Sequence, residues 1–162
     1  MLENQIQRVF VPNGWTLSVA ESCTGGAIAS RLTKVAGASG YFVGGVISYS
    51  NEMKEKLLHV SPVTLKTYGA VSQEVVTQMV LGIIQLSNSN FGIAVTGVAG
   101  PSGGSPEKPV GTVWIAVARK GAKPTVHKLT LDGDRASIIE QSSIAALQFL
   151  LNLFDIPQSS SP

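Results

Sequence analysis

Apolar positions along the chain fall into short runs whose spacing switches between a helical and an extended period. Residues 2–11 repeat weakly at helical spacing and stop before Pro12-Asn13-Gly14, a turn signal. "TLSVA" (16–20) predicts a short buried strand, with a helix following over 25–33. "GYFVGGVISY" (40–49) is apolar, aromatic and β-branched, the pattern of a strand with a glycine kink. Asn51 is placed to cap a short helix, "EMKEKLLHV", and Ser72 to cap a longer one that begins Gln73-Glu74. "FGIAVTG" (91–97) is a second buried strand, running into the glycine-rich loop "GVAGPSGGSPEKPVG". "TVWIAVA" (112–118) and "TVHKLTL" (125–131) read as a hairpin turning at Lys120–Pro124. A turn at Asp132-Gly133-Asp134 then leads to a long amphipathic helix over 135–153.

The element order α-β-α-β-α-α-β-β-β-α predicts an α/β chain: a three-layer α/β/α sandwich on a mixed, mostly parallel sheet of about five strands. The expected organisation is one domain over 1–154, with 155–162, Pro/Ser-rich and lacking apolar residues to bury beyond Ile156, as a disordered tail. Open sheets of this kind collect ligands at the carboxyl ends of their strands. Both unusual glycine clusters, 25–26 and 97–104, fall just past such ends.

Composition narrows the class. Hydrophobic residues make up 44% of the 162 and charged residues only 14%, against about 25% in ordinary soluble domains, so much of the chain must be buried in a layered sheet or between subunits. A homo-oligomer, most simply a dimer, is the expectation. Net charge is +2 with no basic run or basic helix face, which argues against nucleic acid as the main partner. No apolar run approaches the ~18 residues of a membrane span, and "MLENQIQRVF" has no secretory pattern, so a cytoplasmic protein is expected. One cysteine and two histidines leave no disulfide and no zinc-type spacing.

Three stretches could carry chemistry. In "AESCTGG" (20–26), Ser22 stands between a strand end and a helix start, where an oxyanion formed by its attack would meet amide donors. Ser22 or Thr24 could instead simply cap the helix. Cys23 is the rival nucleophile, but it has no imidazole nearby in sequence, and packing is the reading its type favours. In "YSNEMK" (49–54), Lys54 falls in the first turn of a helix, opposed by the helix dipole. Partial burial would lower its pKa further, towards a neutral general base; the alternative is a solvated surface lysine. Tyr49 could orient a proton or just bury its ring. The loop "TGVAGPSGG" offers Thr96, Gly97, Gly100, Ser102, Gly103 and Gly104 as a possible anion nest, although a ligand-free tight turn explains its glycines as well. It is neither a Walker motif nor a dinucleotide fingerprint.

"AESCTGG", "YSNEMK", "GAVS", "TGVAGPSGGSPEKPVGTVW" and "GDR", taken in order, resemble the C-terminal domain of the competence/damage-inducible CinA family and its stand-alone nicotinamide-nucleotide amidases. The likeness runs over about 4–153, and the nucleotide-pyrophosphatase-like domain of longer members is expected to be absent. The resemblance implies a Ser–Lys amidohydrolase that converts nicotinamide mononucleotide to nicotinate mononucleotide and ammonia through an acyl-enzyme, with no metal or cofactor. It assigns Ser22 as nucleophile, Lys54 as base and Tyr49 as support for proton transfer. Thr24, Gly25 and Gly26 then form the corner that aims Ser22, with Cys23 as its buried neighbour and the amides around Cys23–Gly25 as oxyanion donors to the bound substrate. Loop chemistry adds Thr96, Ser102 and the glycines of 97–104 as the ribose-phosphate end, with Arg135 as its charged partner. One departure stands out: relatives commonly carry a second Arg one helical turn after "GDR", where this chain has Ile139. Against the amidase stand two alternatives: a catalytically silent nucleotide-binding module, and an amidase for a related nucleotide.

Overall fold

The computed structural model describes residues 1–154; the tail expected over 155–162 lies outside the described residues. Helix α1 (Leu2–Asn13) carries its helix through Pro12 to a left-handed Gly14, two residues beyond the expected stop. Strand β1 (Leu17–Glu21) is followed by the short helix α2 (Ala27–Thr33), a 3-10 turn at Ala38–Gly40 and strand β2 (Phe42–Ile47). Three helices come next: α3 (Asn51–Leu58), α4 (Pro62–Tyr68) and α5 (Gln73–Ser87). Strands β3 (Phe91–Gly97), β4 (Thr112–Arg119) and β5 (Thr125–Thr130) precede the long α6 (Arg135–Asn152).

The strands form one sheet in the order β2-β1-β3-β4-β5, parallel across β2-β1-β3 and antiparallel across β3-β4-β5. Four of the five strands therefore point the same way and β4 alone is reversed, as a mostly parallel mixed sheet requires. Two cores cover the two faces. Leu17, Val19, Ile93, Ile115 and their neighbours pack under α1, α2 and α6. Ala20, Ala94, Ala116 and Ala118 face α3, α4 and α5. The small residues on this second face let α5 lie close to the sheet. Its Gly82 lies close to α3 as well, since a Cβ there would stand 2.1 Å from the Leu58 carbonyl oxygen.

This topology creates the site. The chain leaves β1 through α2 on one face to reach β2, then crosses back through α3–α5 on the other face to β3. The crossover directions reverse on either side of β1, and a crevice opens at the carboxyl ends of β1 and β3, where open α/β sheets bind ligands. Strand alternation sorts the side chains of β1. Leu17 and Val19 belong to the α1/α2/α6 core, and Ala20 to the opposite one. Continued by one step each, Glu21 turns towards α2 and Ser22 towards α3.

Candidate active site

Ser22 follows β1 directly, its amide still bonded to the Val95 carbonyl of β3 at 3.0 Å. Lys54 reaches it from α3. That helix is capped by Ser50, whose hydroxyl accepts the Met53 amide, and not by Asn51, which is already helical. Lys54, four residues on from that cap, lies on the inward side of the helix. Its side chain is 1% exposed, among the largest fully buried in the protein. The Lys54 Nζ donates to the Ser48 carbonyl at 2.7 Å and to Ser22 Oγ at 3.1 Å.

Burial pulls the Lys54 pKa down from 10.5 to about 8, against an opposing charge interaction with Cys23. Desolvation, more than the helix start invoked from sequence, is what disfavours the ammonium. Cys23, also buried, is pushed up to about 12, chiefly by desolvation. A thiol held that high carries almost no thiolate at neutral pH. The side chain packs in the core beneath α1, α2 and α6.

Ser22, Cys23, Tyr49 and Lys54 share a cavity of about 350 Å³ with Thr96, Gly97, Gly100, Ser102, Gly103 and Arg135. Of the residues singled out in the sequence, these ten meet at one place although they span more than a hundred positions. Thr24, Gly25, Gly26 and Gly104 do not line it. Thr24 and Gly26 bond to Glu21 behind the wall. Gly104 packs against the Val110 backbone, where a Cβ would come within 2.8 Å of the amide nitrogen. The Thr96 hydroxyl is turned to the Ala70 carbonyl at 2.9 Å, pinning the wall segment that carries Ala70 and Val71.

Arg135 spans the mouth. It donates to the Gly100 carbonyl at 2.7 Å and to the Tyr49 hydroxyl at 2.9 Å. Neither partner is anionic, so among the described residues this cavity cation has no carboxylate to neutralise it. Tyr49 is bound to Arg135 and makes no hydrogen bond to Ser22 or Lys54. Ile139, one turn after Arg135, is half-buried against the α1/α2/α6 core.

Sequence reading left out the Ser48 carbonyl, the Ala70–Val71 wall and Glu21. "GAVS" was visible as a motif, but nothing in it announced a wall. A main-chain carbonyl has no sequence signature at all. Neither histidine lines the cavity: His59 ends α3, and His127 stacks on Phe149 at 3.8 Å. Among the described residues, no group of three or more His, Cys, Asp or Glu side chains gathers as a metal site.

The chain matches the CinA C-terminal domain family model over residues 1–154. A nicotinamide-nucleotide amidohydrolase PncC of Enterobacter agglomerans is 43% identical over 94% of this chain and 93% of its own length. A CinA-like protein of Leptospira biflexa is 50% identical over 82% of this chain, which spans about a third of that longer protein (32%). Among solved structures, the competence/damage inducible protein CihA of Agrobacterium tumefaciens superposes with a TM-score of 0.92 at 41% identity, over 95% of this chain and 94% of its own. A CinA superfamily protein of Escherichia coli gives 0.90 at 33% identity, over 94% and 88%.

Proposed function

This chain belongs to the CinA C-terminal domain family, and from that membership we propose that it is an amidohydrolase that converts nicotinamide mononucleotide to nicotinate mononucleotide and ammonia. The relative named as a nicotinamide-nucleotide amidohydrolase supports the reaction class, since the two chains match over nearly their whole lengths. The observation that carries the mechanism is the buried contact between Lys54 Nζ and Ser22 Oγ at 3.1 Å.

In this mechanism neutral Lys54 takes the hydroxyl proton as Ser22 Oγ attacks the carboxamide carbon. The Ser48 carbonyl holds one N–H of the amine, which leaves the nitrogen lone pair for Ser22. The tetrahedral oxyanion is met by the amide of Cys23, the residue after the nucleophile. Lys54 returns the proton to the departing nitrogen, the C–N bond breaks, and ammonia leaves an ester on Ser22. Water attacks that ester with Lys54 again as base, giving the nicotinate carboxylate and restoring Ser22. Arg135, which has no carboxylate partner among the described residues, receives the phosphate at the loop end lined by Gly100, Ser102 and Gly103. Tyr49, held by Arg135 in the same cavity as the dyad, is the group assigned to proton exchange with solvent. The pyridinium of the substrate is a fixed cation, which further disfavours a protonated Lys54 beside it.

Ammonia release from nicotinamide mononucleotide tests the reading, with Ser22→Ala expected to abolish it in a protein that keeps its fold. Wild-type protein that is folded and releases no ammonia refutes the amidase. Release from another pyridine nucleotide in a substrate panel, and not from this one, moves the assignment to that substrate.

A further inference from the structure

Glu21 is 1% exposed and forms no ion pair among the described residues, yet it lies one position from the nucleophile. A buried carboxylate is tolerated only when its oxygens are fully engaged. Here Oε2 accepts the Thr24 hydroxyl at 2.6 Å and the amides of Gly26 and Ile28 at 3.1 and 3.2 Å. Oε1 accepts the Ala29 amide at 2.9 Å. Helix α2 needs this remote acceptor because its cap residue, Gly26, has no side chain.

The other donors of the corner can be followed one by one. Ser22 N–H goes to Val95, Gly25 N–H to the Ser22 carbonyl, and Ala27 N–H to the Thr24 carbonyl. With Gly26, Ile28 and Ala29 taken by Glu21, the amides of Cys23 and Thr24 are left without a partner in another described residue. Of the two residues, Cys23 is the one that lines the cavity. The helix start is therefore not the oxyanion site its position suggests, since Glu21 has already absorbed it.

We propose that Glu21 is the positioning residue of the nucleophile: its carboxylate ties Thr24 and the start of α2 into one rigid corner that fixes Ser22 and presents the Cys23 amide to the oxyanion. The proposal rests on the reading of Ser22 as nucleophile. Glu21 touches no reacting atom. Its main chain serves the same end, because its carbonyl accepts the Ser48 amide at 2.8 Å, and the Ser48 carbonyl in turn holds Lys54. One residue thus braces both members of the dyad.

The test is steady-state ammonia release from nicotinamide mononucleotide by E21Q, T24V and T24S, with melting curves on each. E21Q turns one acceptor oxygen into an NH2 group facing an amide donor, and T24V deletes the hydroxyl donor at nearly constant shape. Loss of oxyanion alignment lowers kcat about 10²-fold in E21Q and about tenfold in T24V, with KM within about threefold of wild type. T24S, which restores the donor, recovers most of the T24V loss. A role in folding alone would lower the melting temperature and leave kcat per folded molecule unchanged. Should E21Q not fold, T24V and T24S decide the matter. Wild-type kcat in folded T24V, or a loss confined to KM, overturns the positioning role while leaving the amidase intact. Absence of turnover in the wild type overturns the amidase reading and this role together.

Discussion

The sharpest consequence of the site concerns Lys54 and pH. An ordinary lysine with a pKa of 10.5 offers roughly 3 neutral molecules in 10,000 at pH 7, whereas one drawn down to about 8 offers roughly a tenth. Burial therefore supplies about a 300-fold gain in available base, corresponding to a shift of about 3 kcal/mol. The kcat/KM for ammonia release, which reports the free enzyme, should rise about tenfold per pH unit up to about 7.5, bend near 8 and flatten by about 9. The second ionisation of a phosphate monoester, at about 6, lies below that window.

The same shift has a signature in stability that requires no substrate. Below the folded pKa both states hold the proton, and the full penalty of burying the ammonium is present. As pH rises through 8 the folded protein releases its proton while the unfolded chain keeps it to 10.5, so the unfolded state binds more protons and stability increases. Between pH 7 and 9.5 the gain is about 2 kcal/mol. It should be read as the difference between wild type and Lys54→Met in urea unfolding, because subtraction removes other groups, the raised Cys23 thiol included. Lys54→Met should also lower the rate by about 10²-fold or more. A wild-type rate profile flat from pH 6 to 9, joined to a wild-type-minus-mutant stability difference that does not change with pH, would refute a neutral buried lysine as the base.

Two further variants separate the nucleophile from its neighbours and link the scaffold to the chemistry. Cys23→Ala keeps the amide and removes only a thiol held near pKa 12, so most of the turnover should remain; loss on the scale of Ser22→Ala would transfer the attack to sulfur. Gly82→Ala forces a Cβ against the Leu58 carbonyl at 2.1 Å, moving α5 away from the helix that carries Lys54. It should destabilise the protein by about 1–3 kcal/mol and lower kcat as well; unchanged activity in a folded variant would show that the two helices separate without disturbing the dyad.

Much of this frame was legible because apolar spacing is local. The strands at 16–20, 91–97, 112–118 and 125–131 and the helix capped by Ser72 follow from period and turn residues alone, and the structure bounds them within a residue or so. Helix α4 is absent from the pattern of apolar spacing, although Ser61-Pro62 is a start signal, with proline at the first helical position. Its seven residues are too few to display a period. Asn51 and Ser50 are both good caps, and only the backbone decides: Ser50 is extended at φ −90° and ψ 159°, which frees its hydroxyl for Met53. Ser22 and Lys54 could be nominated by type, but their separation of 3.1 Å depends on a crossover that carries α3 to one particular face of β1. Spacing along a chain does not encode that.

Glu21 illustrates the remaining limit and also the logic of the site. Glu21 and Lys54 flank the same serine, and two buried groups of opposite charge so placed would ordinarily pair. Such a pair would defeat the base, since a carboxylate against the ammonium raises its pKa and holds the proton in place. Strand alternation prevents it: Glu21 turns to α2 and Ser22 turns to α3, so the carboxylate spends its oxygens on four donors of its own corner. Lys54 is left with one carbonyl and one hydroxyl, partners that fix its position without stabilising its charge as an anion would. Two buried groups of opposite sign thus flank one serine and stay unpaired. Burial of its ammonium makes Lys54 costly where it stands, and the separation from Glu21 is what keeps the lysine able to accept a proton near neutral pH.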